Sequence, residues 1–251
     1  MMPNPRKFAV FDIDGTLIRW QLFHAIVHHL GQEGYILRRQ HEQIRAARMR
    51  WKNREDVEGF RAYELLLLEI YLEVMKQILP EDHDRIVDEV VGEYRDQTHV
   101  YTRDLARRLQ KEGYLLFAIS GSHEAAVGKV ARHHGFDDYL GASFEVRDGQ
   151  YTGEVTTPVF DKAAALRTLA EKHHATFEGS YAVGDSFSDI SMLNIVEHPV
   201  AFNPDRGLYQ TALSHHWPIV VERKNVVYEL LPKDDDYVLS SPTESKGMSG
   251  T

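Results

Sequence analysis

Phe8-Ala9-Val10-Phe11-Asp12-Ile13-Asp14-Gly15-Thr16 is the stretch on which the fold turns. Phe8 to Phe11 is apolar without a helical period, which predicts a strand buried on both faces. The run stops at Asp12. In an extended Asp-x-Asp the two side chains point the same way, and Gly15 permits a sharp turn immediately afterwards. Adjacent carboxylates repel unless a proton or cation intervenes, so the pair suits a hard divalent metal and acid–base work. Taken alone, the motif also admits a plainer reading, a capped turn closing a strand.

Two later segments repeat the pattern of an apolar run ending in polar residues. Residues 114–119 predict a second strand, followed by Ser120-Gly121-Ser122 and a helix to about His134. Residues 181–184 predict a third, followed by Asp185-Ser186-Phe187-Ser188-Asp189. Helices are expected over 103–112, 161–174 and 188–196, further strands over 200–202 and 219–221, and a hairpin over 144–155 around Asp148-Gly149. Strand and helix in turn imply an α/β fold, a doubly wound and mostly parallel Rossmann-like sheet. The carboxyl ends of its strands then converge on one crevice.

Between about residues 17 and 98 the pattern is helical, with Gly31, Gly34, Gly59, Pro80 and Gly92 as punctuation. The expected organisation is a catalytic core over 1–17 and 98–231 with an all-helical cap inserted over 18–97. The tail, 232–251, holds Lys233-Asp234-Asp235-Asp236 and then Ser, Thr and Gly, and is expected to be disordered.

Composition narrows the function. A net charge of -9 offers no global field for nucleic acid or anionic lipid. Small molecules, metals and proteins remain as partners. The absence of cysteine excludes a disulfide, a thiolate metal site and a Cys nucleophile. Residues 1–7 carry no apolar signal core, and the apolar stretch 65–75 is broken by Glu69 and Glu73 and too short to span a bilayer. A soluble cytoplasmic protein without membrane partners is expected.

The remaining candidates each have a plain alternative. Ser120 and Gly121 can offer a hydroxyl and backbone N–H groups to an anion, or Ser120 can simply cap a helix. Asp185 can complete a metal site with Asp189 orienting a neighbour, although Gly-Asp turns are common. Lys162 opens a helix, where lysine is ordinarily a solvated charge. His24 and His28 can share a helix face but lack a third ligand for zinc. Six arginines between Arg38 and Arg54 read as a solvated helix face. Trp20 can line a substrate pocket or anchor a core.

Taken together, the motifs become specific. Asp12-x-Asp14-Gly15-Thr16, Ser120-Gly121, Lys162 and Gly184-Asp185-x-x-x-Asp189 stand in the order and spacing of the four motifs of the haloacid dehalogenase superfamily. The chain most resembles the phosphoserine-phosphatase-like branch, whose helical cap lies between the first two motifs. That resemblance implies a magnesium-dependent hydrolase of a small phosphorylated metabolite, with Asp12 as nucleophile and Asp14 as general acid and base. It implies a metal held by Asp12, the Asp14 main-chain carbonyl and Asp185, a phosphoryl group held by Ser120, Gly121 and Lys162, and Asp189 behind them. Two rivals share the motifs, a phosphotransferase passing the group to an alcohol and a non-catalytic phosphate-binding or regulatory protein.

Members that act on phosphoserine place a glutamate for the substrate ammonium shortly after the nucleophile. Counting from Asp12, that position is Gln21, so phosphoserine is not the expected preference. Arg61 is the nearest candidate for a substrate carboxylate, and Glu33 and Glu64 are the carboxylates available to replace the missing charge.

Overall fold

The computed structural model describes residues 5–234, 236–240 and 243–244. Its chain divides into two compact units, one of residues 1–20, 95–142 and 157–251, the other of residues 21–94 and 143–156.

The first unit is built on a sheet. β1 (Lys7–Phe11) pairs in parallel with β2 (Leu115–His123) on one side and β5 (Thr176–Gly184) on the other. β3 (Asp138–Arg147) extends the sheet beyond β2. β6 (His198–Phe202) and β7 (Ile219–Arg223) extend it in parallel beyond β5, and β8 (Val226–Lys233) follows antiparallel to β7. Successive residues of β1 and β2 are buried regardless of parity, as a sheet covered on both faces requires. Phe8, Val10, Phe117 and Ile119 pack with Leu166 and Leu169 of α7 (Lys162–Lys172), while Phe11, on the other face, meets Phe136 edge-on at 5.7 Å. The chain leaves β1 for β2 and later returns on the opposite side through β5, so the switch in strand order lies at the carboxyl end of β1.

The helix α5 (Val100–Lys111) is capped from outside its own sequence. The side chain of Glu222 of β7 is 4% exposed and accepts hydrogen bonds from the Val100 and Tyr101 amides at 3.1 and 2.8 Å, with the His99 Nδ1 at 3.4 Å. Burial opposes its charge, but the His99 ring and these amides outweigh burial and hold the carboxyl below its usual range. A depressed folded pKa gives stability that is complete above the unfolded value and is lost as pH falls through the folded one. Glu222→Gln is therefore expected to destabilise the protein by about 1 kcal/mol at neutral pH, the size of a lost helix cap. Denaturant melts should show that difference shrinking as the solution is acidified below the carboxylate range.

The second unit holds α1 (Leu22–Gln32), α2 (Arg38–Lys52), α3 (Gly59–Met75) and α4 (Pro80–Tyr94). It also contains the hairpin of the distal half of β3 with β4 (Gln150–Thr156), turned at Asp148 and Gly149, both at positive φ. The expected boundary assigns that hairpin to the core; here it groups with the helices. The reason is one buried constellation. His83 of α4, 0% exposed, meets the Tyr71 hydroxyl of α3 at 2.8 Å through Nε2 and the Tyr151 hydroxyl of β4 at 3.4 Å through Nδ1, and Phe144 of β3 packs edge-on against Tyr71.

Two further expectations change. The helix expected over 188–196 is a 3₁₀ turn, Phe187–Asp189, and a four-residue α8 (Ile190–Leu193). The Ser186 and Asp189 side chains bond the turn's own polar groups, competing with a regular helical start. The tail is ordered where it is described. β8 runs to Lys233, β9 (Asp236–Leu239) pairs back against it, and β10 (Thr243–Glu244) pairs with its beginning. Lys233 and Asp236 of the charged run face each other across this strand pair, Asp234 lies at positive φ, and the Tyr237 hydroxyl lies 2.9 Å from both the Ala212 and the Trp217 carbonyl. Residues 235, 241–242 and 245–251 of that tail lie outside the described residues. Among the described residues no helix is long and apolar enough to cross a membrane.

Candidate active site

Each of the three central strands delivers one part of the site. Asp12 follows β1 directly, and its amide donates to the Val183 carbonyl of β5 at 2.9 Å. Gly15, at φ 81°, then turns the chain so that the Leu17 and Ile18 amides reach back to the Ile13 carbonyl. β2 delivers Ser120, whose hydroxyl donates to Asp14 Oδ2 at 2.7 Å and accepts the Ser122 amide at 3.0 Å. β5 ends at Gly184, where a side chain would strike Asp189 Cβ at 2.4 Å. Asp185 follows it.

Lys162 joins these parts. It is 1% exposed, which removes the reading of a solvated surface lysine. Its Nζ donates to Asp12 Oδ1 at 2.7 Å, Asp189 Oδ1 at 2.6 Å and the Ile119 carbonyl at 3.2 Å. Asp161 sets the start of α7 beneath it by accepting the Ala164 amide. The other oxygen of Asp189 accepts the Asp185 and Ser186 amides at 3.0 and 2.9 Å and the Ser186 hydroxyl at 3.2 Å. Asp189 thereby fixes both the ammonium and the loop that carries Asp185. Ser186 and Asp205 are contributors that sequence reasoning missed. Asp205 accepts the Phe187 amide at 2.9 Å and donates its own amide to the Asp185 carbonyl at 2.8 Å, and its position before helix α9 (Arg206–His215) was the available signal.

The charge balance is the chemical content of the arrangement. Asp12, Asp185 and Asp189 each offer a carboxylate oxygen, and these oxygens lie within 4.8 Å of one another. One buried ammonium faces them. Burial, with Asp189 and Asp14 adding repulsion against the pull of Lys162, raises the Asp12 carboxyl to about 7. Burial followed by Asp12 and Asp189 raises Asp185 well above its usual range. On Lys162 burial works against the charge, yet the two carboxylates prevail and hold the ammonium above its ordinary range. A buried, oxygen-only cluster short of positive charge fits a hard divalent cation. The carboxylates that draw together are Asp12, Asp185 and Asp189, whereas the Asp14 carboxylate is engaged by Ser120.

The sequence matches the haloacid dehalogenase-like hydrolases over residues 9–194, which embraces Asp12, Asp14, Ser120, Lys162, Asp185 and Asp189. The chain belongs to that family. A probable phosphatase of Mycobacterium tuberculosis is 39% identical over 104 residues, 41% of this chain, but the match spans only 36% of that protein. A histidinol-phosphatase of Neisseria meningitidis is 28% identical over 86% of this chain and 98% of its own length. Among solved structures, a phospho-aspartyl intermediate analogue of phosphoserine phosphatase superposes with a TM-score of 0.62 at 23% identity, covering 88% of this chain and 95% of that one, a likeness of fold. This haloacid dehalogenase-like hydrolase thus has the core-plus-cap architecture of the phosphoserine-phosphatase-like branch.

Trp20 is 55% exposed and donates Nε1–H to Gln97 Oε1 at 2.6 Å, so it is no core anchor. Gln21 precedes α1 without a side-chain capping bond, and Arg61 is exposed on α3. Glu33 is gripped by Arg85 through two bonds of 2.7 and 2.5 Å, which removes it as a substitute countercharge. Glu64 lies 3.8 Å from His24, whose imidazole burial and Arg48 depress to about 4.

Proposed function

We propose that this protein is a magnesium-dependent phosphatase that hydrolyses a small phosphomonoester through an aspartyl phosphate on Asp12. The observation that carries the reading is the buried Lys162 bridge between Asp12 and Asp189 in a cluster that retains excess negative charge. A carboxylate attacks phosphorus only if the approaching dianion is neutralised, which is what phosphoryl transfer chiefly asks of a protein.

Asp12 attacks the phosphorus, forming a carboxyl–phosphate bond as the ester P–O bond breaks. Asp14 gives its proton to the departing alkoxide oxygen, then takes one from the water that cleaves the acyl phosphate. The Ser120 hydroxyl on Asp14 holds that carboxyl in place at 2.7 Å. The Gly121 amide and Lys162 bind the phosphoryl oxygens, joined by the Ser120 hydroxyl once it turns its proton from Asp14 to the bound ester. Asp12, Asp185 and the Asp14 carbonyl would hold magnesium, which supplies positive charge to those oxygens when bound. Both oxygens of Asp189 are already committed, so its part is to position Lys162 and the Asp185 loop.

The test is a panel of phosphorylated alcohols, sugars and amines assayed with magnesium and with chelator. Hydrolysis that persists undiminished after chelation would refute the metal. Asp185→Asn is expected to raise the magnesium requirement by about 10²-fold, as loss of one carboxylate from a small octahedral site should. The Neisseria relative, named as a histidinol-phosphatase, supports a phosphorylated alcohol as the substrate class.

Phosphoserine is not expected to lead that panel. Gln21 presents a dipole where an ammonium needs a charge, and leaving such a group desolvated without its partner costs about 3–5 kcal/mol, hence ~10²-fold or more in kcat/KM. Phosphoserine emerging as the best substrate would show that Glu64 or another carboxylate takes over.

A further inference from the structure

Two exposed aromatic residues flank the candidate catalytic side chains along the sequence. Phe160 is 88% exposed and Phe187 71% exposed, more than any other large apolar side chain described in the sheet-containing unit. Isolated exposed apolar residues need no explanation; these differ in where they sit and how they are held. Phe160 lies two residues before Lys162, on the 3₁₀ turn Pro158–Phe160, and Phe187 lies two residues after Asp185, on the turn Phe187–Asp189. The two turns touch each other.

Neither ring is on a loose loop. Proline and the Thr157 hydroxyl, which accepts the Val159 amide at 3.3 Å, fix the first turn, and the Asp161 amide closes it on the Pro158 carbonyl at 3.1 Å. On the second, the Phe187 amide is held by Asp205, and a side chain at Gly207 would meet the Phe187 ring at 3.2 Å, so the ring lies along the start of α9. The side chains of the site are polar and on balance anionic, while the two turns adjoining Lys162 and Asp185 in the chain present phenyl groups to solvent. Rigid elements displaying desolvatable area beside a charged centre suit a ligand that is charged at one end and apolar at the other.

We propose that Phe160 and Phe187 bind the organic part of the substrate alcohol, so that the enzyme favours phosphomonoesters of aromatic or other apolar alcohols. This rests on the reading of the site as a phosphatase. It goes further by assigning specificity to the core turns in addition to the helical unit.

The probe is a matched pair, 2-phenylethyl phosphate and ethyl phosphate, whose leaving oxygens are alike and which differ by one phenyl group. Wild type is expected to favour the phenylethyl ester by roughly tenfold or more in kcat/KM, the scale on which apolar contacts discriminate. Phe160→Ala and Phe187→Ala should each reduce that ratio, the double variant should bring it close to unity, and Phe→Leu at either position should restore part of it. A wild-type ratio near one, or a ratio unmoved by the double substitution, overturns the proposal. A changed sedimentation coefficient with an unmoved ratio does so too, and assigns the rings to a protein interface. Calorimetric binding of the same two esters reads the preference without turnover. If neither ester is hydrolysed, the phosphatase reading falls, and the binding ratio still decides the role of the rings.

Discussion

Asp12→Asn is expected to abolish turnover, lowering kcat by about 10⁴-fold or more while leaving the protein folded. The amide is isosteric and keeps an oxygen for the Lys162 ammonium now 2.7 Å away, so the buried contact survives in a weaker form. What is lost is the proposed nucleophile. No other carboxylate can inherit the role easily, because Asp189 has both oxygens occupied by Lys162 and the Asp185 and Ser186 amides. Single-turnover assays with a phosphate ester, alongside thermal melting to verify the fold, provide the measurement. A well-folded variant with wild-type turnover would refute the aspartyl-phosphate route.

Lys162→Met should damage both activity and stability. The substitution conserves much of the buried volume but leaves Asp12, at 5% exposure, and Asp189, at 0%, without the cation they share. Breaking a buried ion pair by removing one partner typically costs about 3–5 kcal/mol. In a chain of this size that corresponds to a fall in Tm of roughly 6–20 °C. Conversion of both carboxylates as well, to Asn at each position, should recover part of the loss, since the uncompensated charge is then gone. A Tm within about 2 °C of wild type for the single variant would mean that the ammonium is not what balances the cluster.

How much of this was legible beforehand depends on the range of the interactions. β1, β2 and β5 could be read locally because each is an apolar run that stops at a polar residue, Asp12, Ser120 and Asp185. Alternation of such runs with helices is enough to converge their ends. The environment of Lys162 was not legible from its own neighbours, since its burial is set by Asp12, 150 residues away, and Asp189, 27 away. Only the resemblance of the spaced motifs pointed to it. The grouping of the hairpin with the helices was hidden for the same reason. It depends on His83 meeting Tyr151, 68 residues on, and no local periodicity encodes a buried imidazole between two phenols. The described part of the tail is ordered by distant partners that composition does not encode, since Lys233 pairs with Asp236 and Tyr237 reaches the Ala212 and Trp217 carbonyls. Phe160 and Phe187 gave no signal, because exposure of an apolar side chain is a property of the folded chain.

The helical segment leaves and rejoins the sheet-containing unit through paired backbone. The Arg19 amide bonds the Gln97 carbonyl at 2.8 Å and the His99 amide bonds the Leu17 carbonyl at 3.0 Å, with the Trp20 indole on Gln97 beside them. The hairpin is likewise bounded by a strand pair, Ser143 opposite Thr156. At both places the exit and re-entry points are therefore only a strand spacing apart, about 5 Å. Whatever lies between can be lengthened, shortened or exchanged at the level of the gene without asking the core to move its ends. A two-residue turn would suffice to bridge either gap, and a foreign domain with close termini could be spliced there. The haloacid dehalogenase-like core is in this sense a socket with two openings, and new substrate ranges can arise by replacing what is inserted while the aspartates stay where they are.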